Sequence, residues 1–370
     1  MKRFATILAL WGSCLHVSAQ ETRRMADSVR FHRRVPGLVY AVVSSDSILL
    51  MEGVGYRQFR KKDTLSLSNR FHLGSATIAF TSFIAVQLVA KGKLKWNTPL
   101  LKLVPAAAAK CRPEFKGLTL ADLLSQQAGL VSFNNFHEIY SIPALNGTPR
   151  QQRIAFVQWA TERRGCTDTT GKRVFRFSNA NTVAAVAMLE KASGEPWEVL
   201  LKEYINRPLR MHIKTGWPNL LSPTEPWGHW MEADRYTATD PKYWFHVSPA
   251  LTGAADANCT IADYCRFVQD ELRGLRGRKA ALAPRLYELM HYVYPQYGFG
   301  WTNLEVNGTH ISECDGTLGT FYSHVEILKE KDIAVIVLCN SGDTGGKGAA
   351  LNLARLLRQR YTTPALTAGR

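Results

Sequence analysis

The sequence predicts an α+β fold in which strands from both ends of the chain share one sheet and helices occupy the middle. Three observations predict it. Residues 37–44 (GLVYAVVS) and 47–54 (SILLMEGV) are β-rich runs that meet at Ser45-Asp46, the pattern of a hairpin. Near the other end, Thr320 to Leu328 and Ile333 to Leu338 alternate or run apolar on either side of a turn at Lys329 to Asp332. Between these pairs, roughly 95 to 285, the apolar pattern is mostly helical. Strands at the ends with helices between them place the terminal segments in one sheet. With 370 residues, 46% hydrophobic and 21% charged, the chain is long enough for one large domain or two interlocked ones.

Residues 1–19 read as a leader rather than as fold. Lys2 and Arg3 give a positive start, Ala5 to Leu10 run through Trp11 as a short apolar core, and Val17-Ser18-Ala19 offers small residues for a signal peptidase. Cleavage is expected after Ala19. A buried N-terminal helix is the weaker reading, because Gly12 and Ser13 interrupt it. Cys14 raises a lipoprotein alternative, opposed by bulky Trp11 where a lipobox takes a small aliphatic residue. No later stretch reaches the about 18 apolar residues that span a bilayer. A periplasmic or secreted location follows.

Export changes how charge and cysteines are read. A net charge of +16 would point to nucleic acid in a cytosolic protein. In an envelope protein, anionic wall polymer, lipopolysaccharide or plain solubility explains it better, and nucleic acid is not expected. The basic residues are spread along the chain. The one dense patch is 22–34 (Arg23, Arg24, Arg30, Arg33, Arg34), for which a solvated surface is the simplest reading. After cleavage Cys111, Cys166, Cys259, Cys265, Cys314 and Cys339 remain. An oxidising compartment permits disulfides, but spacing assigns no pairing. No Cys-x-x-Cys pair or clustered His/Cys spacing points to a metal, and no cofactor is expected.

After the first hairpin, Phe71-His72-Leu73-Gly74-Ser75 leads into a helix whose Phe80, Phe83, Ile84, Val86, Leu88 and Val89 are too continuously apolar for a surface helix. Gly92 stops it. Leu118 to Leu124 and Ala180 to Ala192 are helical, the second ended by Gly194. Thr260-Ile261-Ala262-Asp263 is a capping box opening a helix with Tyr264, Phe267 and Val268. The stretch 216–250 reads as loop, rich in aromatics (Trp217, Trp227, Trp230, Tyr236, Tyr243, Trp244, Phe245) that either line a ligand cleft or pack the loop. Tyr297 to Trp301 begins a strand. A last helix follows Gly345-Gly346, with Ala350, Leu353, Ala354 and Leu357 on one face.

A serine nucleophile needs a base within hydrogen-bond reach and donors for the developing oxyanion. Ser75, with a glycine before it, a strand upstream and a buried helix starting at it, is well placed for both, since a helix start offers free N–H groups. Around it the order of features resembles a known family. Phe71-x-Leu73-Gly74-Ser75-x-Thr77, with Gly92-Lys93-Leu94 one helix later, looks like the nucleophile segment of class C β-lactamases, related esterases and DD-peptidases. Leu123-Leu124-Ser125-Gln126-Gln127-Ala128-Gly129-Leu130 resembles that family's "LLTHTSGL". Phe177-Ser178-Asn179 stands where it has "YSN", and Tyr297–Trp301 where it has "YGLGW". Asp315-Gly316-Thr317-Leu318-Gly319, with the strand ending Leu338-Cys339-Asn340, resembles its final "HxG" or "KTG" strand and the strand after it. These landmarks cover nearly all the mature chain. The resemblance implies a β-lactamase/transpeptidase-like fold: an antiparallel sheet of both termini flanked by helices (20–75 and 286–370), an inserted mainly helical domain (76–285), and a site in the cleft between them. It also implies Ser75 at the nucleophile position, Asn179 in the second motif, and the N–H groups of Ser75 and Thr317 as oxyanion donors.

The departures fall on the groups that move protons. The family's S-x-x-K places a lysine one helical turn after the serine, and this chain has Ile78 there. Phe177 replaces the tyrosine that relays the proton, Cys314 replaces the Lys or His of the third motif, and Gln126 replaces the histidine of "LLTHTSGL". In a serine protease, loss of the nucleophile or its base costs about a million-fold in turnover, or roughly 8 kcal/mol of barrier. Two functions are therefore weighed. One is an impaired pseudoenzyme that binds a peptidoglycan stem peptide, an ester or an envelope protein. The other is an active serine hydrolase of esterase, DD-peptidase or β-lactamase type in which Ser75 uses an unusual base. Simpler roles stand beside these: Ser75 as an N-cap, Cys314 as a small buried residue rather than a replacement nucleophile, and His310 and His324 as ordinary surface or core histidines.

Overall fold

The two β-rich runs near the N-terminus form the predicted hairpin, β1 (Gly37–Val43) and β2 (Ile48–Gly55). The computed structural model describes residues 19–363 apart from 135–137, 139–140, 169, 171, 233–234, 241 and 243–247. The leader motif therefore lies outside the described residues except for Ala19, and so do Tyr243, Trp244 and Phe245. A first helix, α1, covers 19–32 and precedes the hairpin.

Five long-range elements complete the main architecture. The buried helix α2 (Thr77–Ala90) follows the Gly74–Ala76 turn. Near the C-terminus β8 (Thr302–Val306), β9 (Thr309–Thr317), β10 (Tyr322–Leu328) and β11 (Ile333–Cys339) join the first hairpin in one antiparallel sheet of order β2-β1-β11-β10-β9-β8. Both termini thus meet at β1 and β11, as predicted. Every residue of β1, β10 and β11 is buried, because the sheet is covered on both faces, and such strands read as continuous apolar runs. The pleat divides them. Leu38, Tyr40 and Val42 pack with Ala26 of α1 and with Leu353 and Leu357 of the last helix, Thr344–Thr362. Val39, Ala41 and Val43 face the larger core with Phe80, Phe83 and Phe267. The fold is the β-lactamase/transpeptidase-like α+β arrangement expected from the sequence.

The helix at Asn179–Ser193 begins on a Ser178 side-chain cap and stops at Gly194, whose φ of 84° a glycine adopts freely. The middle of the chain is mostly helical, as expected, and its short strands β4 (Lys214–Thr215) and β7 (Ala257–Thr260) join β3 (Arg70–His72), just upstream of Ser75, in a small sheet of order β3-β7-β4. Three expectations are corrected. The stretch 216–250 is not all loop, for β5 (Gly228–Glu232) and β6 (Arg235–Thr239) make an antiparallel ribbon. Tyr297–Trp301 is a tight loop rather than a strand start, with Gly300 at φ 91° pressed on Ala79 of α2. At Ile261–Leu275 only half of the capping box forms: Thr260 accepts from the Asp263 N–H at 3.1 Å, while the Asp263 carboxylate pairs with Arg266 at 2.6 Å. The arginine one turn on competes for the carboxylate that would reach back.

Candidate active site

The turn carrying Ser75 is set by two glycines. Gly74 has φ 55°, and a Cβ there would lie 2.4 Å from the Thr317 nitrogen; one on Gly316 would lie 1.9 Å from the Leu73 oxygen. Only hydrogen fits at either position, so the end of β9 lies directly against the Ser75 turn. Thr317 is held there by a hydroxyl that donates to the Phe321 carbonyl at 2.7 Å. Ser75 is half-buried and caps nothing: the caps flanking its turn and α2 are Leu73 and Ala76, with no side-chain hydrogen bond, and the nearby Thr77 hydroxyl bonds the Gly74 carbonyl. The N-cap reading of Ser75 is thereby corrected, because the chain is already helical at its position.

The Ser75 hydroxyl donates to Asn179 Oδ1 at 3.4 Å, at the long end for such a bond. Asn179 is fixed by its own amide, which donates to the Phe133 carbonyl at 2.9 Å, and by its N–H, which donates to Asn134 Oδ1 at 3.2 Å. Asn134 in turn donates to the Phe177 carbonyl at 2.6 Å. An amide oxygen accepts a hydrogen bond but does not take a proton at neutral pH.

Ser75, Phe177, Asn179, Cys314 and Thr317 line one cleft of about 640 Å³. Ile78, one helical turn after Ser75 on α2, is 1% exposed and is not among the residues that line the cleft. The Phe177 ring meets Tyr297 edge-on, with centroids 6.5 Å apart. Cys314 is 5% exposed. Burial pushes its thiol well above the ordinary value, and the neighbouring Asp315 and Glu313 carboxylates push it further. It is a neutral, buried residue, as the simpler reading of it holds. Gln126 is buried at φ 61° and accepts from the Ser178 N–H at 2.9 Å and from the Asn181 amide at 2.8 Å, tying the second motif in place.

Sequence reasoning missed Asn134, Phe175, Glu313 and Lys347, all of which line the cleft, and noted Asp315 and Tyr297 only as parts of motifs. Burial raises the Tyr297 phenol well above its usual range, with Cys314 adding and a Gln126 hydrogen bond opposing. Glu313 is pushed up to about 7 by burial, then by Asp315. On that side of β9 the fully buried His324 is no ordinary core histidine. It pairs with Asp315 and, at 3.2 Å, with Glu326, which also holds Arg358 at 2.6 Å. Burial works against the imidazolium, yet the two carboxylates raise it to about 10. Trp230 lines the cleft and so answers the question of the aromatic stretch for one residue, whereas Trp217 is buried against His72 and Phe321. Among the described residues, no group of His, Cys, Asp and Glu is arranged to hold a metal ion, and no helix is long and apolar enough to cross a membrane. All six cysteines noted above are free thiols.

A serine at a helix start, faced by a strand end and an asparagine from a second helix, is the layout of the serine β-lactamase and penicillin-binding fold. A family model described as Beta-lactamase matches residues 17–360, and the chain belongs to that family. It is 24% identical over 350 residues to the "Beta-lactamase" of Escherichia coli (strain K12), covering 83% of this chain and 85% of that protein. It is 22% identical over 312 residues to "Protein flp" of Staphylococcus aureus (strain MW2), where the match takes in 83% of this chain but only 60% of the relative's length. Among solved structures, the octameric penicillin-binding protein homologue from Pyrococcus abyssi superposes with a TM-score of 0.74 at 20% identity, covering 91% of this chain and 77% of that one. A class C beta lactamase from Rhodobacter sphaeroides gives 0.70 at 15%, covering 91% and 98%.

Proposed function

We propose that this chain is an exported, catalytically impaired member of the family that binds a cell-envelope ligand in the Ser75 cleft. The observation that carries the reading is the partner of the Ser75 hydroxyl, an amide oxygen. Acylation requires that proton to leave as the bond forms. The positions where relatives keep a lysine and a tyrosine are Ile78 and Phe177, and Cys314 holds a neutral thiol. The cleft itself remains a binding site. Phe175, Phe177, Trp230 and Tyr297 give it an aromatic wall, and the carboxylates of Glu313 and Asp315 and the ammonium of Lys347 give it charge of both signs, a combination suited to a short peptide that carries both an amino group and a carboxylate. A peptidoglycan stem peptide has that chemistry. The test is turnover of nitrocefin and of a p-nitrophenyl ester by purified protein, beside binding of a stem peptide measured calorimetrically. Binding without turnover is expected. Turnover that disappears in Ser75→Ala would overturn the reading. Export is tested separately: the mature N-terminus should be Gln20, and a chain beginning at lipid-modified Cys14 would contradict it.

One observation favours the alternative, a serine hydrolase with an unusual base. Glu313 lines the same cleft, and a carboxyl raised to about 7 is in the range of a general base. In that case turnover would rise through pH 7 and vanish in Glu313→Gln.

A further inference from the structure

The basic patch at 22–34 does not stand alone in the fold. Arg30, Phe31, His32 and Arg34, at the end of α1, face the loop after β2, which brings Tyr56, Phe59, Arg60, Lys61 and Lys62. Together with Tyr236 of β6 they bound an open groove of about 1190 Å³. Arg30, Arg34, Arg60, Lys61 and Lys62 line it, and no carboxylate does. The neighbouring acids are engaged at its edge, Asp27 with Arg30 at 2.7 Å and Asp63 with Arg57 at 3.3 Å. Phe31 is 71% exposed, the most open of the large apolar side chains among the described residues, and Tyr56 beside it is 40% exposed. Arg60 lies over the Phe59 ring at 5.4 Å. Arg23 and Arg24 line an adjoining pocket with Asp27 and Arg30. Arg34 and Arg60 hold left-handed backbone, at φ 56° and 61°. Glycine or asparagine would take that conformation at less cost, yet both positions place a guanidinium on the rim.

We propose that this groove docks the protein on an anionic phospholipid surface. Cations around an exposed aromatic side chain are what a phosphate-bearing interface recognises: the Lys and Arg groups gain from the negative surface potential, and Phe31 enters the headgroup boundary. Charge complementarity favours such a surface over an apolar or neutral partner, and the protruding phenylalanine favours a lipid interface over a dissolved polyanion. The proposal is independent of chemistry at Ser75. It does bear on the cleft, because the β5–β6 ribbon stands between the two: Trp230 lines the cleft, and its strand partner Thr237 lines the groove.

The experiment is co-sedimentation of the full mature chain with vesicles of phosphatidylglycerol and phosphatidylcholine, against vesicles of phosphatidylcholine alone, across a salt titration. Binding to the anionic vesicles only, weakened by salt, is expected. Arg60→Glu/Lys61→Glu/Lys62→Glu should weaken it at least tenfold. Lys93→Glu/Lys95→Glu/Lys102→Glu, an equal charge change on exposed residues elsewhere, should weaken it less than threefold. Phe31→Ser should weaken it severalfold while retaining the salt dependence, and this exposed single change keeps the test open should the triple variant unfold. Three results would overturn the proposal: no binding to anionic vesicles, equal losses in the two triple variants, or a Phe31→Ser protein that binds as well as the parent. Soluble polyphosphate bound tightly by a chain that ignores vesicles would assign the groove to a dissolved polyanion instead.

Discussion

Two serines of this molecule make an instructive pair. Ser75 opens onto a cleft, but among the described residues its hydroxyl meets only an amide oxygen. Ser312, two residues before Cys314 on β9, has the partners that Ser75 lacks: its hydroxyl lies 2.6 Å from His291 Nδ1, and His291 Nε2 lies 3.1 Å from Glu271. All three are fully buried, with Trp301 stacked on the imidazole at a centroid distance of 4.3 Å. Burial pushes His291 well below and Glu271 well above their ordinary values, so both are neutral. A serine, a histidine and a carboxyl in hydrogen-bonding order here tie β9 to two helices and meet no substrate. Access without a base and a base without access are both insufficient, and site geometry has to be judged on the two together.

The comparison is broken most forcefully by giving Ser75 its missing groups. Ile78→Lys alone places an ammonium near Phe177 with no phenol to relay the proton, and should recover little acylation by nitrocefin. Ile78→Lys with Phe177→Tyr should raise the acylation rate by about 10² or more, with Cys314→His adding to it. The gains should be non-additive, because the residues act as one unit. Stopped-flow acylation of the single and combined variants checks this; additive gains would contradict it.

On the sealed side, His291→Leu should cost about 3 kcal/mol, since Ser312 and Glu271 lose their shared partner inside the core. Urea unfolding measures it, and a loss below about 0.5 kcal/mol would mean the cluster does not tie the elements together.

The charged histidine on the other face of β9 sharpens the contrast with neutral His291. Its folded value, about 10, stands above the ordinary 6.5. The stability it contributes is therefore complete below pH 6.5 and is lost as pH rises toward 10, on the order of 5 kcal/mol. His324→Gln should flatten that decline in unfolding curves measured across this range. The smallest effect is expected of Glu313→Gln: stem-peptide binding, measured calorimetrically, should weaken about twofold at pH 8, where the carboxyl is mostly ionised, while unchanged binding would show that its charge contributes little to the ligand.

Local pattern carried much of this into the sequence. The hairpin at 37–55, the buried helix after Ser75 and the helix stopped at Gly194 were legible because their periodicity and caps are local. The motif positions Ser75, Phe177, Asn179, Cys314 and Thr317 were legible by resemblance, and the fold brings them to one cleft. What escaped depends on distant partners. The pairing of Arg70–His72 with Asn258–Thr260 joins segments far apart in the chain, and the β5–β6 ribbon lies in a stretch whose prolines and aromatics mask its alternation. Asn134 carries no motif, and its role comes from bonding Phe177 and Asn179 across the fold. Ile78 was placed with the site by spacing, and it is buried one helical turn after Ser75.

The proposal that Ser75 lacks a proton acceptor is tested most directly by treating the unmodified protein with a fluorophosphonate and mapping any adduct by mass spectrometry, with an active relative run alongside. No adduct is expected at Ser75, or one that forms far more slowly than in the relative, and none at Ser312. Rapid stoichiometric labelling of Ser75 would contradict it and would mean that a base reaches this hydroxyl.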